Sequence, residues 1–160
     1  MSNYPQKFQL KILSQSENLE IIREFVAKIA AKAGFDENNV NKIELAVDEA
    51  CANVIKHAYT TQDTFQIMNV SIEINLDNIT IIVSDQGKGF DIEKIKPLDI
   101  NKYIAEMRVG GLGIYLMRNL MDKVEFNINR GQRNEVKMIK YLTNQNGQLV
   151  STSTSTLIET

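Results

Sequence analysis

The residues best suited to chemistry begin with a polar cluster on one predicted helix. At about 100° per residue, Glu49, Asn53, Lys56 and His57 fall within one sector, about a quarter-turn from the apolar stripe of that helix. A carboxylate beside an amide oxygen suits a hard cation such as Mg²⁺ or a positioned nucleophile, and Lys56 could meet a phosphate. A solvated helix face is the alternative, because charged helical residues are mostly exposed.

An acidic residue and two glycines follow a predicted strand over Ile79–Val83. Asp85 at the end of that strand could accept a hydrogen bond from an exocyclic amine, and Gly87 and Gly89 would let the backbone approach a flat ring. An ordinary turn remains open, because Asp-x-Gly also occurs in turns.

A third segment, GGLGI, opens a later predicted helix and consists of Gly110, Gly111, Leu112, Gly113 and Ile114. Backbone N–H groups at a helix start can bind phosphate oxygens, and glycines remove side chains that would block them. Arg108, just upstream, could add a positive charge. The alternative is a flexible hinge that leads into the helix. The glycine spacing is not that of a P-loop, since no Gly-Lys-Ser/Thr occurs, and the companion motifs of a protein-kinase glycine loop are missing.

The three segments occur in the order that an ATP site would need. The polar helix comes first, the Asp-x-Gly-x-Gly strand end second, and the glycine-rich helix start third, after an irregular stretch of about 25 residues. Their combination predicts nucleotide binding, although each segment alone has an ordinary structural explanation.

Hydrophobic periodicity supplies the elements that would hold these segments. Alternating residues predict strands over 7–13, 70–76, 79–83, 124–128 and 136–141. Ser14 and Glu17 have capping-box spacing ahead of a first helix that ends near Gly34; a second helix starts within 36–39 and continues to Ala58, and a third covers 112–121. This order predicts an α+β two-layer sandwich, with the helices on one face of a mainly antiparallel sheet. We expect one domain over residues 1–143 and a flexible Ser/Thr-rich tail over 144–160.

Composition excludes several classes of function. The 160 residues carry 18 basic and 20 acidic side chains in a mixed pattern, so we expect no direct binding of nucleic acid. The single cysteine, Cys51, allows no intrachain disulfide, and the single histidine, His57, disfavours a His-rich metal site or a Ser-His-Asp triad. No run of about 18 apolar residues predicts a membrane span. We expect a cytoplasmic protein without membrane association.

Four segments together resemble the GHKL ATPase/kinase superfamily, and more closely the small anti-sigma-factor serine/threonine kinases of bacteria, the RsbW and SpoIIAB type. The segments are ELAVDEACANVIKHAY at 44–59, VSDQGKGFD at 83–91, GGLGIYLMRNLMDKVEF at 110–126 and NEVKMIKYL at 134–142. The resemblance extends over about residues 7–143 and implies the Bergerat ATP-binding fold. Arg133-Asn134-Glu135 stands where histidine kinases usually have Gly-Thr, which favours the anti-sigma branch.

The resemblance also implies roles for individual residues. Asn53 would coordinate the Mg²⁺ that bridges the ATP phosphates, Glu49 would be the general base for the protein hydroxyl, and Lys56 would lie near the phosphates. Asp85 would recognise the adenine amine in a pocket shaped by Gly87 and Gly89. The loop 86–108 would form a lid over ATP, and the backbone of 110–114 would hold phosphates.

Partners follow from the same resemblance. Members of this type bind a sigma factor or phosphorylate a serine or threonine of a STAS-domain antagonist protein, and they often form homodimers. Two alternatives remain open at this point. One is an ATP-binding regulatory module without phosphotransfer, and the other is the catalytic half of a two-component sensor kinase.

Overall fold

Five antiparallel strands form one sheet in the computed structural model, which describes residues 3–58, 66–86, 112–129, 132–144 and 146–150. The strands are β1 (Gln6–Leu13), β2 (Ile67–Ile74), β3 (Asn78–Asp85), β4 (Lys123–Asn129) and β5 (Arg133–Tyr141). Their order across the sheet is β1-β2-β3-β5-β4, and each neighbouring pair is antiparallel. β3 is therefore the central strand.

Three α-helices in the described part of the chain cover one face of this sheet. They are α1 (Leu19–Lys32), α2 (Glu37–Asn53) and α3 (Leu112–Leu120), with a 3-10 turn at Ser16–Asn18 before α1 and a π-helical turn at Val54–Ala58 after α2. α2 packs against both α1 and α3. The predicted α+β sandwich is confirmed, and α2 lies at the centre of its helical layer.

The core lies between the two layers because the strands alternate as the sequence predicted. On β2, alternate residues from Met68 to Ile74 are buried, and on β3 the buried set includes Ile79, Ile81 and Val83. They pack with the apolar stripes of the helices, which include Val26 of α1 and Val47 of α2. Side-chain direction along a strand has a period of two, so Asp85 points to the same face as Val83. The extension of β3 beyond its predicted end therefore places a carboxylate on the helical side.

Local signals set the end of α1 and the start of α2 as predicted. Gly34, with φ of 105°, follows the end of α1, where a residue with a Cβ would be strained. The Asp36 carboxylate accepts a hydrogen bond from the backbone N–H of Asn39 at 2.8 Å and caps the start of α2. α2 therefore has a fixed beginning, twelve to sixteen residues before Glu49 and Asn53 by sequence number.

The predicted capping box at Ser14 and Glu17 is wrong. Ser14 donates its backbone N–H to the carbonyl oxygen of Gln66 at 2.7 Å, which continues the pairing of β1 with β2. That bond keeps Ser14 out of the helix, and α1 begins only at Leu19, after the 3-10 turn. Ser14 Oγ is buried and has no hydrogen-bond partner within the described residues.

Two hydrogen bonds fix the end of α3 to the sheet. Lys140, only 8% exposed, donates from Nζ to the carbonyl oxygen of Leu120 at 2.8 Å, and Asp122 accepts from the backbone N–H of Tyr141 at 2.7 Å. Burial lowers the pKa of Lys140, which the nearby Asp122 carboxylate opposes. A cation at a helix C-terminus also complements the helix dipole.

Residues beyond β5 turn back on themselves. Thr143 pairs with Leu149 in an antiparallel bridge, and Val150 donates its backbone N–H to the carbonyl oxygen of Leu142 at 3.0 Å. The segment predicted to be a flexible tail thus contains local structure as far as Val150, and residues 151–160 lie outside the described residues. None of the helices described is long and apolar enough to span a membrane.

Candidate functional site

α2 presents Glu49 and Asn53 on one side of its last turns. The helix is regular through Asn53, so residues four apart point in nearly the same direction. Ala46, Val47 and Ala50 lie in the core, whereas Glu49 and Asn53 are half-buried. The pair therefore lies at the edge of the apolar interface rather than inside it.

The α-helical period ends at Asn53. The predicted continuation of the α-helix to Ala58 is wrong. Residues Val54–Ala58 form a π-helical turn, in which each residue advances by a smaller angle than in an α-helix. The sector that placed Lys56 beside Glu49 was calculated with the wrong period. Lys56 is exposed. π-Helical turns are frequent at functional sites.

Asp85 ends the central strand as a nearly buried carboxylate. It is 6% exposed, and its Oδ1 accepts a hydrogen bond from Nδ2 of Asn134 at 3.1 Å. The two residues are cross-strand partners, because β3 and β5 pair Asp85 with Asn134. A buried carboxylate needs hydrogen-bond donors, and Asn134 provides one from a strand that is 49 residues away in sequence.

Asn134 is the site residue that sequence reasoning did not assign. It is 2% exposed and lies on the helical face of β5, the same face as Val136 and Met138. The available signal was an amide at an apolar position of a strand, since buried polar groups usually have a specific partner. The partner could not be named without the register of β3 against β5.

The start of α3 lies directly against the polar pair of α2. A methyl group placed on Gly113 would lie 2.7 Å from Oε2 of Glu49 and 3.5 Å from Nδ2 of Asn53. Ile114, the next residue, is 3% exposed and belongs to the core. The structure thus brings one residue of the third segment into contact with the first segment, while Ile114 anchors the helix start.

Part of the predicted site lies outside the described residues, namely Gly87, Gly89, Arg108, Gly110 and Gly111. Nearly all of the predicted lid, residues 87–108, is included in that gap. Leu112 is the first residue of α3.

Asp48, the acidic residue next to Glu49 in sequence, forms an ion pair with α1. It accepts a hydrogen bond from Nη1 of Arg23 on α1 at 2.8 Å. This hydrogen bond raises the pKa of Arg23. Cys51 is fully buried and fills the core, and this burial raises the pKa of its thiol far above the usual value.

The geometry fits a cation that takes few protein ligands. Within the described residues no three or more His, Cys, Asp or Glu side chains are grouped as metal ligands. Mg²⁺ usually retains several waters and binds one or two protein oxygens together with substrate phosphates. An amide oxygen and a carboxylate are oxygen ligands of the type that Mg²⁺ takes.

Comparison with known families decides the class of the protein. The sequence profile described as "Histidine kinase-like ATPase domain" matches residues 12–140, which include every described element from the end of β1 to β5. The chain belongs to this family.

Curated relatives within this histidine kinase-like ATPase family are serine-protein kinases named RsbW. The RsbW protein of Halalkalibacterium halodurans is 37% identical over 131 residues, covering 79% of each chain. That of Staphylococcus aureus is 33% identical over 153 residues, covering 91% of this chain and 95% of the relative. That of Bacillus velezensis is 32% identical over 160 residues, covering 97% and 96%. The protein is a serine/threonine protein kinase that uses ATP, and the predicted resemblance is confirmed.

A solved structure supports the fold of this kinase independently of sequence. The RsbU and RsbW domains of a Mycobacterium tuberculosis protein superpose with a TM-score of 0.61 at 14% identity. The match covers 84% of this chain and 31% of the longer one. At that identity the likeness concerns the fold alone.

The bond from Asn134 to Asp85 leads to a stability prediction for this kinase. Asn134→Ala should lower the free energy of unfolding by about 1–3 kcal/mol, because a buried carboxylate loses a donor. Asn129→Ala on the neighbouring strand is the matched control, since Asn129 donates to Gln132 at an exposed position, and it should change stability by less than about 0.5 kcal/mol. Urea unfolding measures both. Equal effects of the two substitutions would show that the Asp85–Asn134 hydrogen bond stabilises the fold no more than an exposed hydrogen bond does.

Proposed function

We propose that this kinase transfers the γ-phosphoryl group of ATP to a serine or threonine hydroxyl of a STAS-domain antagonist protein, and that it also sequesters a sigma factor. One observation carries the proposal: Glu49 and Asn53 lie side by side against the start of α3, in a chain 32–37% identical to serine-protein kinases named RsbW. A proton acceptor, a cation ligand and a helix N-terminus are the groups that phosphoryl transfer needs.

The phosphate end of ATP would lie between α2 and α3. Asn53 would be the ligand for Mg²⁺, and Lys56, exposed in the π-helical turn, would supply a positive charge for the phosphates. The backbone N–H groups of residues 110–114 would bind phosphate oxygens. Leu112 and Gly113 begin α3, and the first N–H groups of a helix have no partner within the helix. Arg108, which lies outside the described residues, would add a positive charge for the phosphates.

The adenine end of ATP would lie at the edge of the central strand. Asp85 accepts a hydrogen bond from the exocyclic amine, with its carboxylate held by Asn134. Gly87 and Gly89 shape the pocket around the ring. Because Asp85 is nearly buried, that hydrogen bond would form in a site of low dielectric constant, where it contributes more than it would in water.

In the transfer step, the substrate hydroxyl oxygen forms a bond to the γ-phosphorus while the bond from that phosphorus to the ADP oxygen breaks. Glu49 accepts the hydroxyl proton. When bound, Mg²⁺ neutralises charge on the phosphates and on the leaving ADP. The chain itself supplies position: α2 is fixed at its start by the Asp36 cap and laterally by α1 and α3.

The proposal is tested by incubating the purified protein with Mg²⁺, labelled ATP and STAS-domain proteins encoded near its gene. Label should appear as phosphoserine or phosphothreonine on one of them, and the unphosphorylated partner should compete with sigma factor for the kinase. Tight ATP binding without transfer to any such protein would contradict the proposed STAS-domain substrate and support a regulatory module. Acid-labile phosphohistidine would instead support the sensor-kinase alternative.

Glu49→Gln separates transfer from nucleotide binding. The amide keeps the size of the side chain but cannot accept the proton, so transfer should fall by about 100-fold or more, while the Kd for ATP changes by less than about threefold. Glu37→Gln is the control, because Glu37 is exposed in the first turn of the same helix. Filter-bound label measures transfer and isothermal titration calorimetry measures Kd. Undiminished transfer in Glu49→Gln would show that Glu49 is not the general base.

Asp85→Asn tests recognition of the adenine amine. Loss of the charged acceptor should weaken ATP binding by about 1–3 kcal/mol. Inosine triphosphate lacks the amine, so its affinity for the wild type should already be low and should change little in the variant. Calorimetric titration of both nucleotides against both proteins gives the comparison. An equal loss of affinity for the two nucleotides would assign Asp85 a structural role only.

A further inference from the structure

Gly113 lies in α3 without any backbone reason to be glycine. It is the second residue of the helix, and its φ lies outside the left-handed region that L side chains avoid. Alanine is the better helix former by about 1 kcal/mol in helix interiors. The backbone of α3 therefore permits a side chain at this position, so we look for the reason for glycine in the atoms that surround it.

The nearest of these atoms belongs to the side chain of Glu49. A Cβ on Gly113 would lie 2.7 Å from Glu49 Oε2, which is closer than carbon and oxygen atoms approach without repulsion. The same Cβ would lie 3.5 Å from Nδ2 and 3.6 Å from Oδ1 of Asn53, which is ordinary van der Waals contact. A methyl group on Gly113 is thus incompatible with the present position of the Glu49 carboxylate and compatible with that of the Asn53 amide.

The clash would displace a carboxylate rather than a backbone. Oε2 is at the end of a side chain with several rotatable bonds, so the carboxylate can move away at little cost. Proton transfer is sensitive to such a shift, because a general base must lie within hydrogen-bond reach of its proton, and a misplacement of about 1 Å can cost about 100-fold in rate. The effect of a methyl group would appear in the rate more than in folding.

We propose that Gly113 is a positioning residue whose missing side chain leaves room for the Glu49 carboxylate at the junction of α2 and α3. This inference rests on the proposed function, in which Glu49 accepts the proton of the substrate hydroxyl. It assigns Gly113 a role separate from the binding of phosphate by backbone N–H groups, since alanine retains that N–H.

The test is a double-mutant cycle on the full chain with a STAS-domain substrate. Gly113→Ala should lower kcat by at least about tenfold and leave the Kd for Mg-ATP within about threefold, because Asn53 keeps its place. In the Glu49→Ala background, where neither the carboxylate nor the atoms that meet the methyl group remain, adding Gly113→Ala should change the residual single-turnover rate by less than about threefold. Thermal unfolding checks that every variant is folded.

Three results would overturn the inference while leaving the proposed function intact. They are an unchanged kcat in Gly113→Ala, a loss of Mg-ATP affinity with kcat unchanged, and an equal loss of rate with and without the Glu49 carboxylate. If Gly113→Ala does not fold, Glu49→Asp in that background must restore folding, because the shorter side chain withdraws the carboxylate from the methyl group; failure to restore it also overturns the inference. A wild type without transfer contradicts the proposed function itself.

Discussion

The close packing of α3 against α2 is the constraint on which the rest of the site depends. Glu49 and Asn53 alone are half-buried polar residues on a helix, and such residues are common. What distinguishes them is the helix start that approaches to within contact distance at Gly113. Lys140 and Asp122 hold the other end of α3 on the sheet, so the approach is fixed from both ends of the helix.

The sheet contributes the second fixed point. β3 is central, with β2 on one side and β5 on the other, and its last residue, Asp85, is held by Asn134 of β5. Because α2 also contacts β3, the carboxylate at the strand end and the polar pair on the helix belong to one packed unit. Cys51, Val47 and Val83 are part of the core that joins them. The adenine and phosphate ends of a bound nucleotide would thus be positioned by the same core.

Periodicity was sufficient to predict the two layers, since alternation on β2 and the apolar stripe of α2 each define one buried face. Local start and stop signals were sufficient for Gly34 and Asp36, because the roles of these two residues depend only on local backbone geometry. The local capping pattern failed at Ser14, because a long-range hydrogen bond to Gln66 overrides it. Helical periodicity failed after Asn53, where the helix widens into a π-turn. The partnership of Asp85 with Asn134, like the approach of Gly113 to Glu49, depends on register and helix packing, which no local pattern encodes.

If α2 holds Mg-ATP through Asn53 at the junction of α2 and α3, calorimetric titration of ATP with and without Mg²⁺ detects the contribution of that side chain. In the wild type and in Asn41→Ala, an exposed asparagine on the same helix, Mg²⁺ should strengthen ATP binding. In Asn53→Ala that gain should disappear, because the oxygen ligand is removed while the adenine contacts remain. An Asn53→Ala protein with the same Mg²⁺-dependent gain as the wild type would contradict the account.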